Sequence, residues 1–287
     1  MYSANFEYYR ANSAAEAVQL LQAHPGAKLL AGGHSLLPQM KLRVAQPPAV
    51  IDISRIGDLA GVSLHGDHIH IGAGTTHNTL ATSAVLREHC PILAQAAGMI
   101  GDQQVRNRGT IGGSLAHADP AADLPTVMLA LGATLTVLGA GGSRDIAAAD
   151  FTTDMFTTAL GENEVLTGIT VRAYGSGTGG AYQKHDHPAS GYAVVGVAAI
   201  VMVSGGLCSG ASIAVGGVTP KSQRAAAAEA ALQGKALSAE NIAAAAALVT
   251  EALPDPLGDN YASGEYRHHL ATVLAKRALT AAASRAG

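Results

Sequence analysis

Two glycine pairs constrain this chain more than any other feature. Gly32-Gly33 lies within Ala31-Gly32-Gly33-His34-Ser35, and Gly112-Gly113 within Thr110-Ile111-Gly112-Gly113-Ser114. Each pair follows a stretch that reads as extended structure, or a turn out of it, and runs into a segment able to start a helix. Losing two successive Cβ atoms lets consecutive N–H groups turn toward one point and lets a ligand press on the main chain. A helix starting just beyond adds unpaired N–H groups and the positive end of its dipole. Glycine also marks any turn needing positive φ, and either pair alone reads first as such a turn. Two pairs, each with a hydroxyl on the helix-start side (Ser35 and Ser114), point instead to a diphosphate held from both sides, and so to a dinucleotide. No G-x-x-x-x-G-K-[ST] stretch is present, which excludes a P-loop. The first pair also lacks G-x-G-x-x-G spacing, which argues against a Rossmann fold.

The surrounding pattern predicts an α+β protein in three parts. Residues 1–55 read as a β-α-β-α-β unit with a small parallel sheet, forming a first subdomain of the nucleotide site. Its first helix opens on the capping box Ser13-Ala14-Ala15-Glu16, and Ser35 can cap the second, over 36–43. Residues 56–174 predict a second subdomain, a mixed or antiparallel sheet with helices. It contains a hairpin of strands 62–64 and 68–71, helices over 79–89, 92–100 and 123–131, and strands over 133–138 and 165–171. The run Gly175-Ser176-Gly177-Thr178-Gly179-Gly180 reads as a linker. Residues 175–287 predict an antiparallel sheet, with a long hairpin of 192–203 and 209–218 about Gly205-Gly206. Three helices, over 222–233, 238–253 and 266–284, cover it.

Composition removes several function classes. A net charge of −3 offers no footprint for nucleic acid. The longest apolar run, 192–203, is too short to span a bilayer, and the opening residues do not form a secretory signal, so a cytoplasmic location is expected. Cys90 and Cys208 are the only cysteines, too few for an iron–sulfur cluster. His68-Ile69-His70 and His185-Asp186-His187 lack a third ligand at fixed spacing, so no metal site is expected. Charged residues make up 14%, and this low share suggests permanent partner surfaces alongside alanine-rich helices.

Longer stretches carry a family resemblance. Residues 31–43, Ala31-Gly32-Gly33-His34-Ser35-Leu36-Leu37-Pro38-Gln39-Met40-Lys41-Leu42-Arg43, resemble the first FAD loop of the medium, flavin-carrying subunit of molybdenum hydroxylases. That group includes aerobic carbon monoxide dehydrogenase and the nicotine, caffeine and xanthine dehydrogenases. Val105-Arg106-Asn107-Arg108-Gly109-Thr110-Ile111-Gly112-Gly113-Ser114 resembles the second loop, and the likeness extends through Gly72-Ala73-Gly74-Thr75-Thr76 and 119–125 to the C-terminal helices.

The resemblance implies an FAD-binding electron-transfer subunit. A small subunit with two [2Fe–2S] clusters would feed its flavin, a large subunit would carry molybdopterin, and two such heterotrimers would pair. It implies that Ala31, Gly32, Gly33, His34 and Ser35, with Thr110, Ile111, Gly112, Gly113 and Ser114, hold the FAD pyrophosphate through N–H groups and hydroxyls. Ser114 departs from the Asp or Asn that relatives often carry there. It also implies that Asp123 reaches a ribose or adenine-side group, that Leu166 lies on the adenine side, that Thr75 and Thr76 line the ring pocket, and that Lys184 contacts the flavin end. The residues themselves allow other roles. Asp123 stands where a helix N-cap belongs, Lys184 reads as a surface lysine, and Tyr192 reads as core, with stacking near the flavin as the alternative. The stretch 184–192 looks more like the heterocycle-oxidising relatives. Two rival functions remain on sequence grounds: a stand-alone FAD oxidoreductase, and a non-enzymatic nucleotide-binding module.

Overall fold

A computed structural model describes residues 2–286. The first subdomain follows the expected alternation: β1 (Glu7–Arg10), α1 (Ala14–Ala23), β2 (Lys28–Leu30), α2 (Leu36–Lys41) and β3 (Ala49–Asp52). β3 lies between β1 and β2, and all three run parallel. Ser13 caps α1 through the Glu16 N–H at 3.1 Å, while the Glu16 carboxylate turns back to the Asn12 N–H at 2.7 Å. Ala17, Val18 and Leu21 pack the helix onto Ile51.

The second subdomain begins with the hairpin β4 (Val62–His65) and β5 (His68–Gly72). Six short helices follow: α3 (His77–Thr82), α4 (Ala84–His89), α5 (Pro91–Gly98), α6 (Gln103–Arg106), α7 (Ile111–His117) and α8 (Asp123–Leu131). The chain then returns through β6 (Thr134–Gly139), β7 (Gly142–Ala147), α9 (Ala148–Phe151), β8 (Thr152–Asp154), β9 (Thr157–Thr158) and β10 (Val165–Arg172). Its antiparallel sheet has the order β4-β5-β10-β6-β7. Ile69 and Ile71 of β5, Leu135 and Val137 of β6 and Ile169 of β10 face the helices in the main core. The single helix expected over 79–89 is two. Ser83 leaves helical geometry at ψ 122° and its hydroxyl caps α4 through the Leu86 N–H.

The third part holds β11 (Thr178–Asp186), β12 (Ala193–Ser204), β13 (Leu207–Gly216), β14 (Gln223–Arg224), α10 (Ala226–Leu232), α11 (Ala239–Ala247) and α12 (Gly264–Arg285). The four strands form one antiparallel sheet in chain order. Gly205 and Gly206, both at positive φ, close the β12–β13 hairpin, as a two-residue turn with right-handed twist requires. Of the linker expected over 175–180, residues 175–177 do lie outside the strands, but Thr178, Gly179 and Gly180 belong to β11. Gly179 and Gly180 are buried in β11, and a side chain on Gly179 would collide with the Ala282 carbonyl of α12. The glycines serve a close helix–strand approach, not flexibility.

Candidate functional site

The two glycine pairs meet. A Cβ on Gly32 would strike the Arg108 carbonyl and stand 2.8 Å from the Gly109 Cα, so the first loop lies directly on the backbone that leads into the second. Here glycine serves protein-on-protein contact, a different reason from the close ligand approach expected. Gly33 has φ +76°, and a Cβ there would meet Leu37 Cδ1 at 2.8 Å. Gly112 is likewise pressed on the backbone of Ala73, with a Cβ distance of 2.6 Å to the Ala73 carbonyl oxygen.

The pairs differ in what they offer. Among the described residues, the N–H groups of Gly32, Gly33, His34 and Ser35 have no acceptor. Ser35 occupies the cap position of α2 yet makes no capping bond. His34 anchors the loop, its Nδ1 lying 3.0 Å from the Gly32 carbonyl. The second pair is not a loop but the first turn of α7. Thr110 caps it through the Gly113 N–H at 3.1 Å. Ile111 and Gly112 donate to the Thr75 and Ala73 carbonyls at 3.0 and 2.8 Å, and Ser114 donates to the Thr110 carbonyl. The N–H groups of Ile111, Gly112, Gly113 and Ser114 are thus already engaged by helix and strand contacts. What this turn leaves open is the exposed Gly113, the half-buried Ser114 and the exposed Ala116.

The remaining expected residues separate into surface and support. Thr75 is 1% exposed, and its hydroxyl ties down Gly61, accepting from its N–H at 2.9 Å and donating to its carbonyl at 3.0 Å. Thr76 caps α3 through Thr79 and bridges Thr110 across an antiparallel pair. The Thr75 hydroxyl is thus engaged with Gly61, while Thr76 joins the start of α3 to the start of α7. Leu166 is 6% exposed and packs in the main core. Asp123 is the first residue of α8, not its cap, and its side chain is buried with that of Lys184. The Tyr182 hydroxyl donates to Asp123 Oδ1 at 2.8 Å. Lys184 Nζ donates to the Met99 and Gly191 carbonyls at 2.9 and 2.8 Å and to Asp123 Oδ2 at 3.3 Å. Burial pushes the Asp123 carboxyl above its ordinary value, against the opposing pull of the Lys184 charge and the Tyr182 hydroxyl. A surface lysine is excluded.

Tyr192 precedes β12 and is 41% exposed, so it is not core. Burial of the remainder, then the charge of Asp119, raise its phenol above the ordinary value, with the Ser35 side chain acting the other way. The Ser35 side chain of the first glycine loop therefore lies near Tyr192. Arg106 Nη1 donates to the Ile100 and Gly101 carbonyls at 3.0 and 2.9 Å. Sequence reasoning passed over Tyr182, and it passed over His77, which is buried beside Gly109. The signal for His77 was its place directly after Thr75-Thr76. Among the described residues no group of three or more His, Cys, Asp or Glu could hold a metal ion, and no helix is long and apolar enough to cross a membrane.

Comparison with known proteins decides the family. The FAD binding domain in molybdopterin dehydrogenase matches residues 4–172. This chain belongs to that flavoprotein family. The CO dehydrogenase flavoprotein C-terminal domain matches residues 180–282 and completes the family's two-part arrangement. The carbon monoxide dehydrogenase medium chain of Hydrogenophaga pseudoflava is 42% identical over 281 residues, covering 98% of both chains. The glyceraldehyde dehydrogenase medium chain of Sulfolobus acidocaldarius is 36% identical, covering 97% of this chain and 98% of that one. A solved structure of carbon monoxide dehydrogenase from Hydrogenophaga pseudoflava superposes with a TM-score of 0.95 at 45% identity, covering 99% of each chain. Members of the family are medium FAD subunits of multi-subunit molybdenum hydroxylases, and electron transfer is their role.

Proposed function

We propose that this chain holds FAD between its two glycine elements and passes electrons from the [2Fe–2S] clusters of a small partner subunit to an external acceptor. A large partner carries molybdopterin, and two such heterotrimers pair in the cytoplasm. The observation that carries the reading is the seating of Gly32 on Arg108-Gly109, which sets a row of acceptor-free N–H groups beside the open start of α7.

The residues fit a flavin dinucleotide asymmetrically. Gly32, Gly33, His34 and Ser35 donate N–H groups to the pyrophosphate, with Ala31 leading into the turn. Gly113 and Ser114 supply a bare surface and a hydroxyl on the facing side. Tyr192 covers the flavin end with an aromatic face. Asp123, Lys184, Thr75, Thr76 and Leu166 support these walls from behind. Residues 1–55 and 56–174 grip the nucleotide, and 175–287 close over the flavin end. Bound FAD supplies the exchange between one-electron and two-electron carriers. No side chain here acts as general acid or base on the organic substrate.

The test is the purified assembly. Stoichiometric FAD, with iron and molybdenum in the co-purifying chains, is expected; a flavin-free assembly would refute the reading. The likeness to carbon monoxide dehydrogenase medium chains makes carbon monoxide the first substrate to assay, and N-heteroaromatics the second. A single chain that oxidised an organic donor unaided would support the stand-alone alternative.

A further inference from the structure

His77 lies on the first turn of α3, immediately behind the backbone that separates the two glycine elements. It is 5% exposed, and its Nδ1 has no hydrogen-bond partner. A buried, unpaired ring nitrogen costs free energy that an apolar side chain would not. Its ring edge abuts Gly109: a Cβ there would stand 2.8 Å from Cδ2 and 2.9 Å from Nε2. Gly109 in turn touches Gly32, whose own Cβ would stand 2.8 Å from the Gly109 Cα. The main chain locks these layers, because the His77 N–H donates to the Gly109 carbonyl at 2.9 Å and Ile111 donates to Thr75. Imidazole, Gly109 peptide and Gly32 therefore pack together with no side chain between them.

We propose that His77 is a positioning residue for the flavin nucleotide. Its ring sets the depth of the Arg108-Gly109 segment and, through it, the separation between the first glycine loop and α7. The inference rests on the proposed FAD site and names the part of the fold that spaces its two walls. Interiors packed at crystal density transmit a displacement rather than absorb it. Removing the ring lets Gly109 and the loop above it sink inward. Adding a methyl at Gly109 drives the same segment outward. The two changes act on one distance with opposite sign, so together they compensate.

The experiment is a double-mutant cycle on FAD affinity in the purified assembly, read by flavin fluorescence on release and re-addition, with thermal unfolding followed in parallel. Gly109 is not at positive φ, so alanine meets no backbone strain there. H77A and G109A are each expected to weaken FAD about tenfold. H77A/G109A should bind more tightly than G109A alone, and this rescue is a coupling that two independent structural losses would not produce. Additive losses, or FAD affinity unchanged in both single variants, would overturn the proposal. If H77A does not assemble, H77N paired with G109A runs the same cycle. Wild-type assembly lacking FAD would count against the site itself; wild type with FAD but additive variants would count only against His77.

Discussion

Lys184 Nζ lies 3.1 Å from Asp123 Oδ1 with both side chains buried, and the same ammonium bonds the carbonyls of Met99 and Gly191. One side chain therefore joins β11, the start of α8, the turn after α5 and the turn that carries Tyr192. A buried ion pair is weak evidence of net stability, because desolvation offsets the attraction. Its value here is geometric: three acceptors from three separate segments fix one point.

Breaking this pair from one side should be costly. K184M strands the Asp123 carboxylate in the interior and should lower stability by about 3–5 kcal/mol. It should also release the Gly191-Tyr192 turn and reduce bound FAD. K184M/D123L removes both charges and should recover most of the stability without recovering the flavin. Thermal unfolding and flavin content of the assembly check the two halves separately.

The glycines should not respond alike. G33A forces a Cβ onto a backbone at φ +76°, which costs roughly 1 kcal/mol or more before any ligand effect. Loss of FAD there would not distinguish ligand contact from strain. Gly113 is in helical backbone, and a Cβ there meets only Thr110 Oγ1, at 2.9 Å. G113A should leave the melting temperature within a few degrees of wild type, since helix propensity gains up to about 1 kcal/mol against the crowded cap. FAD binding should still fall, as an absorbance titration would show.

Ser35 and Ser263 make a controlled contrast. Ser263 caps α12 through the Tyr266 N–H at 3.1 Å, whereas Ser35 makes no capping bond on α2. S263A should cost about 1 kcal/mol of stability with FAD affinity unchanged. S35A should do the reverse: unchanged unfolding and weaker FAD. Equal behaviour of the two would show that the Ser35 hydroxyl is not held for a ligand.

His77 also makes a pH prediction. Burial first, then the charges of His34 and Arg106, lower its pKa from 6.5 to about 4. The unfolded chain therefore takes up a proton below pH 6.5 that the folded chain refuses until about pH 4. Stability from this group is complete above pH 6.5, falls as the pH drops toward 4, and levels off beyond. A difference of that width corresponds to about 3 kcal/mol. Denaturant unfolding of wild type and H77A between pH 7 and 4 should show a shallower slope for the variant.

Much of the fold was legible because local chemistry and tertiary structure agreed. The Ser13 cap, the β1–β3 unit, the Gly205-Gly206 hairpin and the α8 span all obey rules readable within a few residues of chain. β11 was missed because its glycines signal flexibility locally, and only the approach of α12 explains them. The short β7, β8 and β9 fall among polar residues with no clean alternation.

The sequence by itself determined which residues could bare their backbone and where helices could begin, because those properties belong to single residues and their neighbours. It also determined that this chain lacks the thiolates for an iron–sulfur cluster. Only tertiary structure decided which bared N–H groups remain free: those of α7 are consumed by Ala73 and Thr75, while those beside His34 are not. Hydrogen-bond partners more than thirty residues away compete for the same donors, and that competition is invisible until the chain has folded. For the same reason Lys184 and Asp123 looked like a surface charge and a cap, although each is the other's buried partner.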